Sequence, residues 1–179
     1  LISKISSRFG SQCLVISIDY KTEKCGMNQV YINSGKTATG LTVEEWALTV
    51  QELGAGEILL TSIERDGKKN GYDISTIKKI SESISIPVIA NSGVGNMRHL
   101  VEGITQTSAS AVCAANIFHF TEHSSIVAKA FLKKNNVNVR LVSSANYESR
   151  FFDNEGRIII LDEEKLSSIK LNSGEKQIL

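Results

Sequence analysis

Four short apolar runs, each followed by a polar loop and then a helical pattern, constrain the fold of this chain more than any other feature. The runs cover residues 14–18, 58–61, 87–90 and 111–114. Strands that alternate with helices at this rhythm are typical of a parallel β/α architecture. We therefore expect an α/β fold built from about four β/α units.

Local signals predict where the helices begin and end. Thr42 and Glu45 have the spacing of a capping box, and Asp73 is an N-cap candidate for the next helix. Two further helices are expected over Met97–Thr105 and Ser124–Lys134, and residues 1–8 resemble the end of a preceding helix. Residues 28–36 predict two short extended pieces before the helix that Thr42 caps.

The segment 54–67 joins an apolar strand directly to a polar, acidic loop. In a barrel of parallel β/α units, ligands meet the loops that follow the strands. The residues after Leu60 are therefore the first place to look for a binding site.

Composition excludes several classes of protein. No run of about 18 apolar residues exists, so no membrane span is expected. The formal net charge of +1 supplies no broad basic field for nucleic acid. The three cysteines are scattered and odd in number, which fits reduced thiols and a cytoplasmic location. Cys13 and Cys113 are expected as small core residues.

The chain is predicted to divide at about residue 145. Residues 1–145 hold the β/α units, whereas residues 146–179 form an extension. Within that extension, residues 150–161 predict a β-hairpin with Gly156 in a left-handed conformation, and residues 162–171 a short helix. A surface embellishment is favoured over a functional role for this extension.

A series of motifs at compatible spacings resembles the cyclase family of imidazole glycerol phosphate synthase. The motifs are FGSQ at 9–12, SID at 17–19, TG at 39–40, EW at 45–46, GAGEILLTSI at 54–63, RDG at 65–67, GYD at 71–73, PVIA at 87–90 and AANIFHF at 114–120. The resemblance covers roughly residues 1–140. It implies the (β/α)8 TIM-barrel fold, of which this chain would be the C-terminal half.

The resemblance also implies an activity and its partners. Ammonia from a glutamine amidotransferase subunit would attack an open-chain, bisphosphorylated imidazole-carboxamide precursor, with no metal or redox cofactor. The products would be imidazole glycerol phosphate and aminoimidazole carboxamide ribotide, in histidine biosynthesis. Four strands of an eight-stranded barrel leave two open edges, so we expect a separate N-terminal half-barrel or self-association.

Asp19 is the candidate catalytic residue. It ends an apolar strand, where an unpaired buried charge would be costly and a packing role is unfavourable. The matching aspartate of the family is one of two general acid/base carboxylates, and its partner belongs to the first barrel strand, which is absent here. The alternative is a structural aspartate that caps the loop.

A phosphate site is expected where three loops meet. The resemblance and the position of these loops assign it to Asp66, Gly67, Asn91, Ser92, Gly93, Ala115 and Asn116. Asp66 is equally explained as an Asx-type turn residue. Ser92 stands where the family has glycine, which would place a side chain where a phosphate needs to approach the backbone.

The remaining polar residues are weaker candidates. His119 is expected to be a partly buried loop residue, while His99 and His123 are expected at the surface. Lys21 would either meet a phosphate or solvate its loop, and no metal-ligand spacing is present.

Two alternatives to the cyclase function remain. One is a paralogue that supports amidation or acetamidino modification of a surface-polysaccharide sugar. The features that favour it are Asn91, Ser92, Tyr20 and the C-terminal extension. The other is a catalytically silent half-barrel that binds a phosphorylated ligand.

Overall fold

The computed structural model describes residues 1–119, 124–141 and 150–159. The elements in chain order are α1 (Ile2–Phe9), a 3-10 helix (Ser11–Cys13), β1 (Val15–Thr22), β2 (Asn28–Ile32), β3 (Thr37–Thr42), α2 (Val43–Glu52), β4 (Glu57–Ser62), α3 (Ile74–Ser83), β5 (Val88–Asn91), α4 (Met97–Thr105), β6 (Ala111–Val112), a 3-10 helix (Asn116–His119) and α5 (Ser124–Lys134).

One sheet joins all of these strands in the order β3-β2-β1-β4-β5-β6. Strands β1, β4, β5 and β6 run parallel, whereas β2 and β3 form an antiparallel hairpin beside β1. The predicted parallel β/α arrangement is confirmed for the described residues. The two extended pieces expected near residues 28–36 are this hairpin, and the second of them begins only at Thr37.

Strand β1 continues four residues beyond its predicted end. Residues 19–22 pair with β2 on one side, from Asp19 opposite Tyr31 to Thr22 opposite Asn28. The open edge expected on this side is therefore shorter than predicted, because the hairpin covers the carboxyl half of β1 and leaves only its amino half unpaired. Strand β6 is shorter than predicted, although the Cys113 amide still donates to the Ala90 carbonyl over 2.8 Å.

The helices pack on one face of the sheet. Side chains at alternate positions of the parallel strands, such as Ile18, Leu60 and Val88, are fully buried beneath them. The opposite face is not covered in this way, and Val15 remains 50% exposed there. The core thus lies between sheet and helices, and the other face is open to partners or ligands.

The predicted caps are present. Thr42 and Glu45 form both bonds of the capping box, and the Asp73 side chain accepts from the Thr76 amide. Helices α4 and α5 have the predicted bounds. In the described residues, no helix is long and apolar enough to cross a bilayer.

Residues 150–159 form a tight turn with one antiparallel bridge, between Phe152 and Ile158. Gly156 has φ +80° in that turn. The helix expected over residues 162–171 lies outside the described residues.

Candidate functional site

Three polar side chains form a row across the uncovered face of the sheet. Asp19 is opposite Thr61 in the β1–β4 pair, and Thr61 is opposite Asn91 in the β4–β5 pair. Each follows a residue that is buried under the helices, so alternation turns it toward the uncovered face. The Asn91 amide donates to the Thr61 hydroxyl over 3.2 Å. The row lies at the carboxyl ends of the strands, where barrel enzymes hold their ligands.

A cavity of about 360 Å³ opens beside this row. Its lining consists of Asp66, Gly67, Asn91, Ser92, Gly93, Val94, Cys113, Ala114, Ala115 and Asn116. The structure therefore brings together every residue that the sequence assigned to the phosphate site. Its volume falls within the range of about 300–1,000 Å³ that small-molecule sites occupy.

Asp19 does not line the cavity but belongs to the adjoining row. Asp19 as a residue is half-buried, and its Oδ1 accepts an exposed hydrogen bond of 3.3 Å from the Ser17 hydroxyl. Two strand spacings, each about 4.8 Å, separate its strand from that of Asn91. A ligand in the cavity must therefore extend across Thr61 to reach the carboxylate.

Two loops interlock at Gly93, which lines the cavity. The Gly71 amide donates to the Gly93 carbonyl over 2.7 Å. A Cβ on Gly93 would lie 2.2 Å from the Gly71 carbonyl oxygen, and a Cβ on Gly95 would lie 2.4 Å from that of Lys69. Glycine at 93 and 95 is therefore required by packing between the loops, whatever the ligand.

Ser92 is buried, and its side chain forms a hydrogen bond within the protein. Its hydroxyl accepts a hydrogen bond of 3.1 Å from the Ser62 amide. The backbone at Ser92 has φ +81°, a left-handed conformation that favours glycine. The hydroxyl is therefore engaged with the end of β4, while Ser92 still lines the cavity, and the effect of this side chain on phosphate binding stays a prediction.

His99 is half-buried, so its prediction as a surface residue is wrong. Its Nδ1 accepts a hydrogen bond of 3.1 Å from the Gly95 amide, which requires Nδ1 to be unprotonated. The His99 amide in turn donates to the Asn96 side chain over 3.2 Å. His99 thus ties the first turn of α4 to the loop that borders the cavity.

Other predictions about single residues are also corrected. His119 is exposed at the end of its 3-10 helix rather than partly buried. Cys13 is exposed, because it lies in a surface 3-10 helix before β1 rather than in the strand itself. Cys113 is half-buried and lines the cavity. His123 lies outside the described residues.

Lys21 has partners within its own hairpin. Its ammonium donates to the Gly35 carbonyl over 2.8 Å and lies 4.6 Å from the centroid of the Tyr31 ring. The Tyr31 hydroxyl donates to Glu23 over 2.6 Å. These contacts order the hairpin beside Asp19. They explain the position of Lys21 without a contact to phosphate or a role in solvating the loop.

A pair formed by the buried Tyr20 and the half-buried Asp73 supports the strand end from the helix side. The Tyr20 hydroxyl donates to Asp73 Oδ2 over 2.9 Å. Burial alone would raise the pKa of Asp73, but hydrogen bonds from Thr76, Ser75 and Tyr20 hold it below its ordinary value. Burial, and then the charge of Asp73, raise the pKa of the Tyr20 phenol far above its ordinary value. The residue next to Asp19 is thus anchored to the start of α3.

A second cavity, of about 420 Å³, lies on the helix side between the β1–β2 turn and the start of α3. Several polar groups of its lining are already paired with one another. Glu64 accepts from the Thr22 amide over 2.9 Å, and Asn28 donates to Thr76 over 2.8 Å. This cavity is therefore explained by the packing of the loops, and the first cavity is the better candidate site.

The described part of the chain contains no cluster of side chains suited to bind a metal ion. No three His, Cys, Asp or Glu side chains lie close enough together there to hold an ion.

Thr61 is the residue of this region that the sequence reading missed. A polar residue at an uncovered position of an otherwise apolar strand is a usable signal, because alternation from the buried Leu60 places it beside Asp19. Val94, Cys113 and Ala114 also line the cavity, but nothing in their chemistry distinguishes them in the sequence.

Residues 1–124 match the family described as "Histidine biosynthesis protein". A curated relative from Chloroherpeton thalassium, "Imidazole glycerol phosphate synthase subunit HisF", is 52% identical over 141 residues. A relative of the same description from Hydrogenobaculum sp. is 50% identical over 141 residues. Each alignment covers 79% of this chain and 56% of the relative, so the chain spans about half the length of the curated relatives it matches.

The matched region contains every β-strand of the sheet and the whole cavity. Parallel strands, a row of polar residues at their carboxyl ends and the match over residues 1–124 agree with one another. The chain belongs to the histidine biosynthesis protein family, and the two relatives described above carry the name of an imidazole glycerol phosphate synthase subunit.

Proposed function

We propose that this chain supplies the C-terminal half of a cyclase active site. The complete barrel would take ammonia from a glutamine amidotransferase subunit and form imidazole glycerol phosphate and aminoimidazole carboxamide ribotide. The observation that carries the proposal is the position of the cavity, at the carboxyl ends of the strands and beside the row that contains Asp19. The names of the two relatives support the same activity. We expect the enzyme to act in the cytoplasm.

One phosphate of the substrate would occupy the cavity. Backbone amides of Gly67, Gly93 and Asn116 are the proposed donors, because these residues line the cavity and backbone amides in tight loops suit an anion. Gly67 has φ +71° and open space beside it. The amides of Gly95, Met97 and His99 already have acceptors, so the phosphate would draw on the loop before α4.

Other residues of the cavity would bind the remainder of the substrate. Asp66 is an exposed carboxylate, which would repel phosphate and is better suited to accept hydrogen bonds from sugar hydroxyls. Asn91 links the cavity to Thr61 and could orient the substrate along the row. Ser92 and Ala115 would contribute backbone rather than side-chain contacts.

Asp19 would act as one general acid/base. An extended, bisphosphorylated substrate with one phosphate in the cavity would pass Thr61 and reach the Asp19 carboxylate. There the carboxylate would take a proton from the attacking nitrogen and return it to the departing oxygen. The second carboxylate would come from the N-terminal half of the barrel, which would also cover the open face of the sheet.

The polysaccharide-modifying alternative loses two of its supporting features. Tyr20 is buried against Asp73, and the Ser92 hydroxyl is bonded to the end of β4. Both unusual residues therefore serve packing and give no indication of a different substrate.

The decisive experiment replaces Asp19 with Asn in the complete natural protein, with the imidazole-carboxamide precursor and ammonia as substrates. Asp19→Asn keeps the shape of the side chain and removes the base. We expect kcat to fall by about 10²–10⁴-fold, as for loss of a general acid/base, with KM nearly unchanged. Glu82→Gln, on the exposed side of α3, is the control and should leave turnover unaltered. Near-normal turnover of a folded Asp19→Asn variant would refute the assignment.

A further inference from the structure

The C-terminal hairpin, defined as residues 150–159, is packed firmly onto α5. The Phe152 ring meets the Phe131 ring edge to face, with centroids 5.5 Å apart and planes at 69°. The Lys134 ammonium lies 5.0 Å from the Phe152 centroid and donates to the Arg150 carbonyl. A loose embellishment would not make aromatic, cation–π and hydrogen-bond contacts with the same helix.

The same hairpin meets the start of α4. The Met97 amide, the first of that helix, donates to the Glu155 carbonyl over 3.0 Å. Gly156 lies so close that a Cβ there would be 2.5 Å from Met97 Cβ and 2.9 Å from Phe131 Cδ1. Within the turn, Asp153 Oδ1 accepts from the Glu155 and Arg157 amides, each over 2.9 Å. The Glu155 carbonyl is thus held rigidly in its capping position.

This contact is one of several hydrogen bonds that satisfy amides at the start of α4. The first four amides of a helix have no partner within the helix. Met97 donates to Glu155, His99 donates to the Asn96 side chain, and the Gly95 amide just before the helix donates to His99. The segment from Gly95 to His99 is therefore fixed from both sides, and it directly follows Val94, which lines the cavity.

We propose that the C-terminal hairpin is a positioning element of the phosphate site. By capping Met97, it fixes the start of α4 and so holds the loop 91–95 in the conformation that receives a phosphate. This inference rests on the phosphate-binding cavity of the proposed function. The ordering of the loop is achieved during folding, so the ligand does not have to order the loop when it binds.

The structure offers a matched pair of glycine substitutions as a test. Gly156 and Gly26 both lie in hairpin turns at positive φ, +80° and +84°. A Cβ at Gly26 would meet nothing within 4 Å, whereas a Cβ at Gly156 would collide with Met97. Gly156→Ala and Gly26→Ala therefore introduce similar backbone strain, but only Gly156→Ala displaces the hairpin from α4. Phe152→Leu is a milder variant that loosens the contact with Phe131 without altering the turn.

Two quantities are measured on the full chain: the dissociation constant for inorganic phosphate, by titration, and the hydrogen-exchange rates of the Gly95 and Met97 amides. We expect Gly156→Ala to weaken phosphate binding about 10-fold, an order of magnitude typical of misplaced binding groups, and to accelerate exchange at both amides. Phe152→Leu should show a smaller change in the same direction. Gly26→Ala should match the unaltered chain in both measurements.

Each possible result of these measurements either supports or overturns the proposed role of the C-terminal hairpin. Equal phosphate affinity in Gly156→Ala and Gly26→Ala would overturn the proposal, as would unchanged exchange at Met97. If the unaltered chain binds no phosphate, the cavity assignment in the proposed function fails and the hairpin cannot position a phosphate site. If Gly156→Ala does not fold, Phe152→Leu carries the test, and unchanged phosphate affinity in that folded variant overturns the proposal.

Discussion

The amide of Ser62, at the end of β4, donates a hydrogen bond of 3.1 Å to the hydroxyl of Ser92, which follows β5. Both residues are buried. The bond joins the ends of two neighbouring strands at a residue that lines the cavity, and Ser92 maintains it at a φ of +81°, which favours glycine. A packing contact therefore compensates a strained backbone at the most unusual residue of the cavity.

Two substitutions at Ser92 separate the bond from the strain. Ser92→Ala keeps the strain and leaves the Ser62 amide unsatisfied, so we expect the free energy of unfolding to fall by about 1–3 kcal/mol. Ser92→Gly also loses the bond but relieves a left-handed strain of about 1–2 kcal/mol, so its net change should be near zero. Urea unfolding at one protein concentration provides the comparison. Equal losses in the two variants would show that strain at this position is unimportant.

Substitutions at His99 test the link between α4 and the cavity. His99→Ala removes the acceptor of the Gly95 amide, so we expect weaker binding of inorganic phosphate. His99→Asn places an amide oxygen near the former Nδ1 and should restore part of the affinity. Arg98→Ala, an exposed neighbour in the same helix, is the control and should bind phosphate normally. If His99→Ala also binds normally, the loop keeps its conformation without the histidine.

The Tyr20–Asp73 pair predicts a defined pH dependence of stability. The pKa of Asp73 is lowered from 3.8, so its stabilising contribution is present above about pH 4 and is lost as the pH falls through the lowered value. The pKa of Tyr20 is raised from 10.0, so its contribution is present below pH 10 and is lost as the pH rises further.

Tyr20→Phe should therefore be less stable than the unaltered chain, by on the order of 1 kcal/mol near pH 7. The difference should shrink below about pH 4 and again above pH 10, as measured by urea unfolding across this range. Tyr31→Phe removes a similar bond, to Glu23, at a more exposed position and should have a smaller effect. A difference that does not vary with pH would mean that the ring alone matters at Tyr20.

The uncovered face of the sheet predicts that the isolated chain associates. Val15 is 50% exposed on that face, and the amino half of β1 has a strand on one side only. We expect sedimentation coefficients that rise with concentration, and Val15→Lys should shift the chain toward monomer. Leu48→Lys is the control, because Leu48 is similarly exposed, at 42%, but belongs to α2. A stable monomer at every concentration would contradict this expectation.

Local signals explain why much of the fold could be read from the sequence. The capping box of Thr42 and Glu45, the N-cap Asp73 and the alternation of apolar runs with helical patterns each depend on residues close in the chain. The cavity lining was also predictable, because parallel strands bring their following loops to one edge. The family resemblance supplied the role of Asp19, which local pattern alone does not give.

The errors concern contacts between distant residues. The extension of β1 depends on pairing with the hairpin, from Asp19 to Tyr31, and no local pattern encodes that register. The direction of the Ser92 side chain depends on an amide 30 residues away. His99 has an ordinary surface-helix sequence around it, but its ring lies beside the distant Gly71, where a Cβ would be 3.5 Å from His99 Cδ2.

The interlocked loops of Gly71 and Gly93 also bear on how such a protein can change. Because backbone packs against backbone there, an insertion in one loop would displace its neighbour as well. The turn at Gly26, which has open space around it, can vary in length without that consequence. When loops are exchanged between relatives, residues 65–71 and 91–95 should therefore be exchanged together. Either loop alone would lack the loop against which its backbone packs.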